Sequence, residues 1–551
     1  MVECGVLNVE TKAMPLTVYG SMLYHPLEVV LVSIVAVVCL GGQVLHLGSR
    51  FRDMRLGGLI GLAPSTILNI PLDGTDANYR GLRTYLLPLV LFCAVHLLVA
   101  HLVRSLNSRQ TVKALVDITI GLVGCVLIHT ARGAMALLLV VLLGLVVDKV
   151  AHIPIPCLHG RVTGAQAIWT YLVIMLLSIN SRWCPITWIV GWVPSTRAPT
   201  IGWAVGFRFW MLRLVSFFMD RHWSSELPQT QEDVLTYKAR VKTPLQPEDY
   251  DYLSLCHYLL YPPLQLAGPI VTFNAFKSQT MTHQTGYNEM RLLKYATYLG
   301  VVVLGLDLYT HTMYTTALIE QPGNYAFWSL VAPGYIPIFV TLHLFFIWAK
   351  YAIMWGSMRL WALLDGVETI ENQMRFYLNN HTYQMFWRGW HASFNAWLIR
   401  YIYIPLGGRN RKIPLFFLIF TFVGLWHDVS WTYLQWAWIV FCLVSLEAVT
   451  IQAARKVPCV ADNLNRETHF FKYLLCIPGS LSMAWAAGSN FVTFGIGKSD
   501  WRSYEIPNWQ TSDYLLLATF CAGWSAVCLL SFHYQRALEG EGNAATLRCH
   551  V

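Results

Sequence analysis

Apolar runs of about 20 residues recur along most of this 551-residue chain, and each is long enough to cross the hydrocarbon core of a bilayer. In lipid every backbone N–H and C=O must be satisfied within the protein, so such runs are read as helices. Charged residues make up only 13% of the chain against about 25% in soluble domains. Its 22 Trp and 27 Tyr are rings that settle at membrane interfaces. The expected fold class is therefore all-α, a polytopic transmembrane protein of roughly 10–13 spans. The runs lie near 26–47, 84–104, 112–130, 133–150, 166–180, 186–206, 252–272, 292–318, 325–360, 413–428, 431–452, 470–496 and 513–533. Residues 1–25 carry Glu3 and Glu10 and lack a basic n-region, so the first span is expected to act as its own insertion signal.

Three stretches differ in texture. Residues 1–200 hold plain Leu/Val spans, typified by Ala134-Met135-Ala136-Leu137-Leu138-Leu139-Val140-Val141. Residues 201–450 are interrupted by Pro, Gly, His and Asn, and 451–551 return to C-terminal spans. Broken helices survive in a membrane only where protein or a water-filled cavity surrounds them. A catalytic chamber or tunnel is accordingly expected in the central stretch. Within it, residues 204–219 place Arg208 and Arg213 among aromatics, which fits an interfacial amphipathic helix or a span lining a polar cavity. Residues 220–250 read as an extramembrane connector. The formal net charge of +9 is dispersed in short groups such as Arg50-Phe51-Arg52, suited to anionic headgroups. No long basic tract suggests nucleic acid. The 13 cysteines show no zinc-like spacing and read mainly as small hydrophobes.

Two histidines stand out within the central stretch. His391 lies in Phe386-Trp387-Arg388-Gly389-Trp390-His391-Ala392-Ser393-Phe394-Asn395, and His427 in Gly424-Leu425-Trp426-His427-Asp428. Ionisable residues at membrane depth are costly and are read first as functional. Trp387, His391 and Asn395 are spaced i, i+4, i+8, so on one helix they would form a single stripe flanked by Arg388. Between the histidines, Pro405-Leu406-Gly407-Gly408 breaks the chain and Pro414 opens a new apolar run. If both arms were helical, each histidine would sit about 20 Å from the turn, at one depth and able to face a common cavity.

A neutral imidazole is a base that can take a proton from a hydroxyl. An alcohol attacking a thioester needs such a base and a donor for the developing oxyanion, which Asn395 or the second histidine could supply. A lone histidine on an apolar helix more often bonds a backbone carbonyl, and His46, His96, His101, His129, His257, His311 and His343 are read that way. Two at matched depth, beside Trp, Arg and Asn, favour chemistry. No His-Glu-x-x-His occurs, so no metal is expected, and no Gly-x-Ser-x-Gly marks a serine esterase.

Trp387-Arg388-x-Trp390-His391, Arg400-Tyr401-x-Tyr403-Ile404-Pro405-Leu406-Gly407-Gly408 and Trp426-His427 together resemble the membrane-bound O-acyltransferase family. Tyr261-Pro262-Pro263-Leu264-Gln265-Leu266-Ala267-Gly268-Pro269 is similar to its branch containing hedgehog acyltransferase and the glycerol-uptake (Gup) proteins, as is Leu212-Arg213-Leu214-Val215-Ser216-Phe217 with Asp220. The resemblance covers roughly residues 200–450. It implies a multi-span endoplasmic reticulum enzyme that passes an acyl group from acyl-CoA to a hydroxyl. His427 then corresponds to the nearly universal catalytic histidine and His391 to the second polar catalytic position. That position is Asp in the hedgehog branch, so His391 points to the glycerol-uptake branch. Trp387, Arg388, Asn395, Trp426 and Asp428 are carried over as supporting or substrate-binding residues. Fungal members of that branch imply an acceptor: a lysophospholipid, above all the lyso-form of a glycosylphosphatidylinositol (GPI) anchor, drawn from surrounding membrane lipids.

Two other classes compete. In a transporter linked to glycerol uptake the histidines would relay protons within broken helices, although the chain has no two-fold internal repeat and no buried acid cluster. A catalytically silent scaffold is the third.

Overall fold

The computed structural model describes residues 26–53, 61–64, 70–106, 109–151, 163–179, 184–193, 198–225, 236–281, 288–320, 331–380, 382–408, 412–458, 483–496 and 509–540. Helices dominate. The first stretch, α1 (Pro26–Ala36) and α2 (Gly42–Asp53), is joined through a π-helical turn, Val37–Gly41. Next come α3 (Ala77–Ser105), α4 (Gln110–Ala151), α5 (Gly164–Ser178), the short α6 (Pro185–Gly191) and α7 (Trp203–Ser224). The middle of the chain forms α8 (Tyr237–Lys242), α9 (Tyr252–Leu260), α10 (Phe273–Met281), α11 (Glu289–Thr312), α12 (Thr315–Ile319) and α13 (Ile336–Leu364). Beyond it lie α14 (Tyr383–Gly389), α15 (Ala392–Leu398), α16 (Lys412–His427), α17 (Trp431–Lys456) and α18 (Thr511–Gly540). A two-residue antiparallel pairing, β1 (Leu62–Ala63) with β2 (Leu72–Asp73), is the sheet seen among the described residues.

Among the described residues, seven helices are long and apolar enough to cross a membrane: Val29–Phe51, Ala77–Ser105, Gln110–Ala151, Glu289–Thr312, Pro333–Leu364, Trp431–Ala453 and Thr511–Ser531. Two shorter apolar helices, Gly164–Ser178 and Ile413–His427, add to them. The runs at 112–130 and 133–150 form one helical stretch broken at Thr130, where φ 66 and ψ 169 leave helical space. Unbroken, 42 residues would span about 63 Å, roughly twice the hydrocarbon thickness. The break divides it into two arms.

The runs at 186–206 and 252–272 are corrected. Among the described residues 186–206 holds the short α6 and the first turn of α7, and 252–272 holds only the short α9, which Pro262 and Pro263 end because proline lacks the N–H and clashes with the preceding turn. The backbone that follows is irregular yet buried, and side chains satisfy it. Buried Arg213 of α7 donates to the carbonyls of Tyr258 (3.0 Å), Leu259 (3.1 Å) and Leu264. The Ser393 hydroxyl accepts from the Ile270 N–H (2.8 Å), Ser216 from Phe273 (2.8 Å) and Asp220 from Asn274 (3.2 Å). Asp220 also receives Arg400 (2.8 Å) and the Tyr401 hydroxyl (3.0 Å). The Leu212–Asp220, Tyr261–Pro269 and Arg400–Tyr401 motifs are thus one buried hydrogen-bonded unit.

Helix α7 is the axis of the largest core. Phe207, Trp210, Met211, Leu212, Leu214, Val215, Phe217 and Phe218 are all buried, so it is neither an interfacial helix nor lipid-facing. The N-terminal helices are different: Leu87, Val90, Leu91, Val95 and Leu98 of α3 are exposed, as a lipid-facing span requires.

Candidate active site

The helix expected to carry Trp387, His391 and Asn395 as one stripe is broken between them. Helix α14 starts firmly: the Thr382 hydroxyl accepts the Met385 N–H (3.2 Å), and the Glu447 carboxylate of α17 accepts those of Tyr383 (2.7 Å) and Gln384 (3.2 Å). An acid at a helix N-terminus complements the dipole. After Gly389 the chain straightens. Trp390 bridges to Gln373, the Met374 N–H donates to the Gly389 carbonyl (3.0 Å), and Ala392 donates to Asn372 (3.1 Å). His391 then takes φ 49, ψ 48, the left-handed region, and serves as N-cap of α15 without a side-chain cap bond. A residue with a Cβ pays about 1–2 kcal/mol there. The neighbouring hydrogen bonds hold the kink: the Asn372 side chain accepts both the N–H (3.2 Å) and the hydroxyl (2.6 Å) of Ser393.

This turn points the imidazole inward. His391 stacks on Trp355 of α13 with ring centroids 4.6 Å apart and planes 17° apart. Its Nε2 is buried and has no hydrogen-bond partner among the described residues.

His427 is the last residue of α16. Its ring lies edge-on to Trp436 (5.5 Å) and Phe494 (5.6 Å) and parallel to Tyr433 (6.0 Å). Gly424, one turn earlier, lets α16 approach α17 closely: a Cβ there would stand 2.9 Å from the Tyr433 carbonyl oxygen. Trp426 packs on Phe394 (4.5 Å) and touches both imidazoles, 6.1 Å from His391 and 5.1 Å from His427.

Both histidines line one cavity of about 320 Å³. Its wall also contains Trp387, Asn395 and Trp426, so the kink, not a continuous helix face, gathers these side chains. Arg388 is exposed and outside the wall. Asp428 is also outside it, held by Arg208 of α7 at 2.8 Å. Arg208 itself lines the cavity, an arrangement the sequence signalled only as an arginine among aromatics. Tyr351 and Trp355 were missed, although with Leu344 and Ile347 they recur at helical spacing along α13. Asn490 and Phe494 were missed too, being single residues beyond the central stretch. The wall is otherwise aromatic and aliphatic, suited to an alkyl chain.

A second polar cluster lies elsewhere. His96, Asp117 and Asp365 bring ligating atoms within 4.8 Å of one another, but the Lys113 ammonium already bonds Asp117 (2.6 Å) and Asp365 (3.2 Å). The Trp361 indole donates to His96 Nδ1 (3.0 Å) and His96 Nε2 meets Asp117 (3.0 Å). Indole is only a donor, so His96 must present its N–H at Nε2. His129 and His311 bond the carbonyls of Ile201 and Asp307, each at 2.7 Å, the role expected of isolated histidines.

A profile described as MBOAT, membrane-bound O-acyltransferase family, matches residues 188–476. The chain is also 30% identical over 510 residues to the membrane-bound O-acyltransferase gup1 of Schizosaccharomyces pombe, covering 89% of this chain and 84% of that one. This protein belongs to the membrane-bound O-acyltransferase family. It is an acyltransferase of the Gup branch: the GUP1 protein of Saccharomyces cerevisiae is 29% identical over 398 residues, 69% of each chain. The mouse protein-cysteine N-palmitoyltransferase HHAT is more distant, 27% identical over 281 residues, 48% of this acyltransferase and 54% of HHAT. The matched profile ends before Met483, Asn490, Phe494 and Trp524, which nonetheless complete the cavity wall.

Proposed function

We propose that this acyltransferase moves a fatty acyl group from acyl-CoA to the hydroxyl of a lyso-lipid, the lyso-GPI anchor, within the endoplasmic reticulum membrane. The observation that carries the reading is two imidazoles on one apolar cavity, one with an unpartnered buried nitrogen. His427 acts as general base. It takes the proton of the acceptor hydroxyl as that oxygen attacks the thioester carbonyl, then returns it to the departing CoA sulfur. His391, locked against Trp355, orients the acceptor hydroxyl through Nε2, and Asn395 stands one turn further along the same wall. Trp387 and Trp426 shape the space between them. The choice of acceptor is supported by likeness to the Gup proteins and by His391 at the second polar position.

Membranes containing the protein should transfer labelled acyl groups from acyl-CoA to lyso-GPI. His427→Ala should abolish transfer at unchanged protein level, and full activity in that variant would refute the assignment of the base. Lipid mass spectrometry of cells lacking the protein should show accumulated lyso-GPI; accumulation of a different lyso-lipid would redirect the acceptor.

A further inference from the structure

We propose that Arg208 donates, through Nε–H, to the oxyanion that forms when the acyl thioester is attacked. The inference deepens the reading of this site and rests on it. Two contacts place Arg208 beside His427. Its carbonyl oxygen accepts the Trp426 indole N–H at 2.9 Å, and its Nη2 donates to Asp428 at 2.8 Å. Arg208 is therefore tied to the residue on each side of His427. Its side chain is 14% exposed and forms part of the wall shared with both histidines.

A further observation concerns its Nε. Arg208 Nε is buried and has no hydrogen-bond acceptor among the described residues. Leaving a buried guanidinium N–H unmade is costly, and Arg cannot relieve it by losing a proton. Guanidinium has donors only, so whatever fills the position must be an acceptor, and one gaining negative charge gains most. The carbonyl oxygen of the acyl thioester meets that description. As the acceptor oxygen bonds to the carbonyl carbon, the C=O π pair moves onto this oxygen, and it collapses back when the C–S bond breaks. Asp428 holds the guanidinium still, so the donor is oriented before charge develops. A hydroxyl or a phosphate of CoA could also accept this N–H, but either would do so equally in ground and transition states. That difference is measurable.

Arg208→Ala should lower kcat for acyl transfer by about 10²–10³-fold, the usual effect of removing one oxyanion donor, with KM for acyl-CoA little changed. Added methylguanidinium should restore part of the rate to Arg208→Ala and none to His427→Ala. Because an unpaired Asp428 could impair folding, Arg208→Gln with Asp428→Asn is measured alongside; it leaves no orphaned charge and should stay slow. Wild-type kcat in Arg208→Ala, a raised KM at intact kcat, or full recovery in the double variant would each overturn the inference while leaving the acyl-transfer reading standing. Absence of transfer by the wild-type protein in the same assay would bring down both.

Discussion

His391 adopts a backbone conformation that L residues avoid, and Asn372, Ser393 and Gly389 hold it there. Such strain is found where position matters more than stability. A simple comparison isolates it. His391→Gly and His391→Ala both lose the stack on Trp355, but only alanine keeps a Cβ at φ 49. The glycine variant should therefore be the more stable by about 1 kcal/mol in thermal unfolding, with acyl transfer reduced in both. The opposite order of stability would mean the kink is absent. The residue identity was legible in the sequence, since a histidine in apolar surroundings is expensive. Its backbone was not, because Trp387, His391 and Asn395 are equally compatible with one unbroken helix.

Between elements, two contacts hold helices together, one beside the candidate site and one away from it. The first is the close approach of α16 and α17 at Gly424. Gly424→Ala should force them apart, costing about 1–3 kcal/mol and lowering kcat, whereas Gly300→Ala, with open space around it, should leave both unchanged. Turnover and thermal unfolding of the two variants decide it. The second is the buried network of Asp117 with His96 (3.0 Å), His257 (2.8 Å) and Lys113 (2.6 Å), which joins α3, α4 and α9. Lys113 and Tyr261 carry it on to Asp365, at the end of α13. Removing one partner of a buried charge set typically costs about 3–5 kcal/mol. Asp117→Ala should thus lower the yield of monodisperse protein in detergent; a variant as stable as wild type would show the network to be dispensable. Neither feature could be read from the chain alone. Gly424 is one of 38 glycines, and the network joins residues far apart in sequence. Pro262 and Pro263 are plain in the sequence, yet 252–272 reads there as one apolar span; the break, and the buried Arg213 that makes it tolerable, are matters of packing.

At the scale of the molecule, the cavity is assembled by several parts of the chain: α7, α13, the α14–α17 region, residues 483–496 and α18. Truncation after Lys456 would strip Met483, Ala486, Asn490, Phe494 and Trp524 from its wall. Acyl transfer should then be lost although residues 201–450 remain intact, and co-expression of the missing segment should restore it. Persistent activity without that segment would confine the working site to the central stretch. Local chemistry fixed what could be read early. Low charge and long apolar runs require membrane helices, because lipid offers the backbone no partner, and two costly histidines with their aromatic frame mark a candidate site and resemble a family. Only the tertiary structure decided that both histidines line one cavity, that Arg208 stands beside His427 while Arg388 is exposed outside it, and that the C-terminal helices close the wall. Those are matters of long-range packing, set by where a kink directs a side chain and which distant helix fills the space beside it.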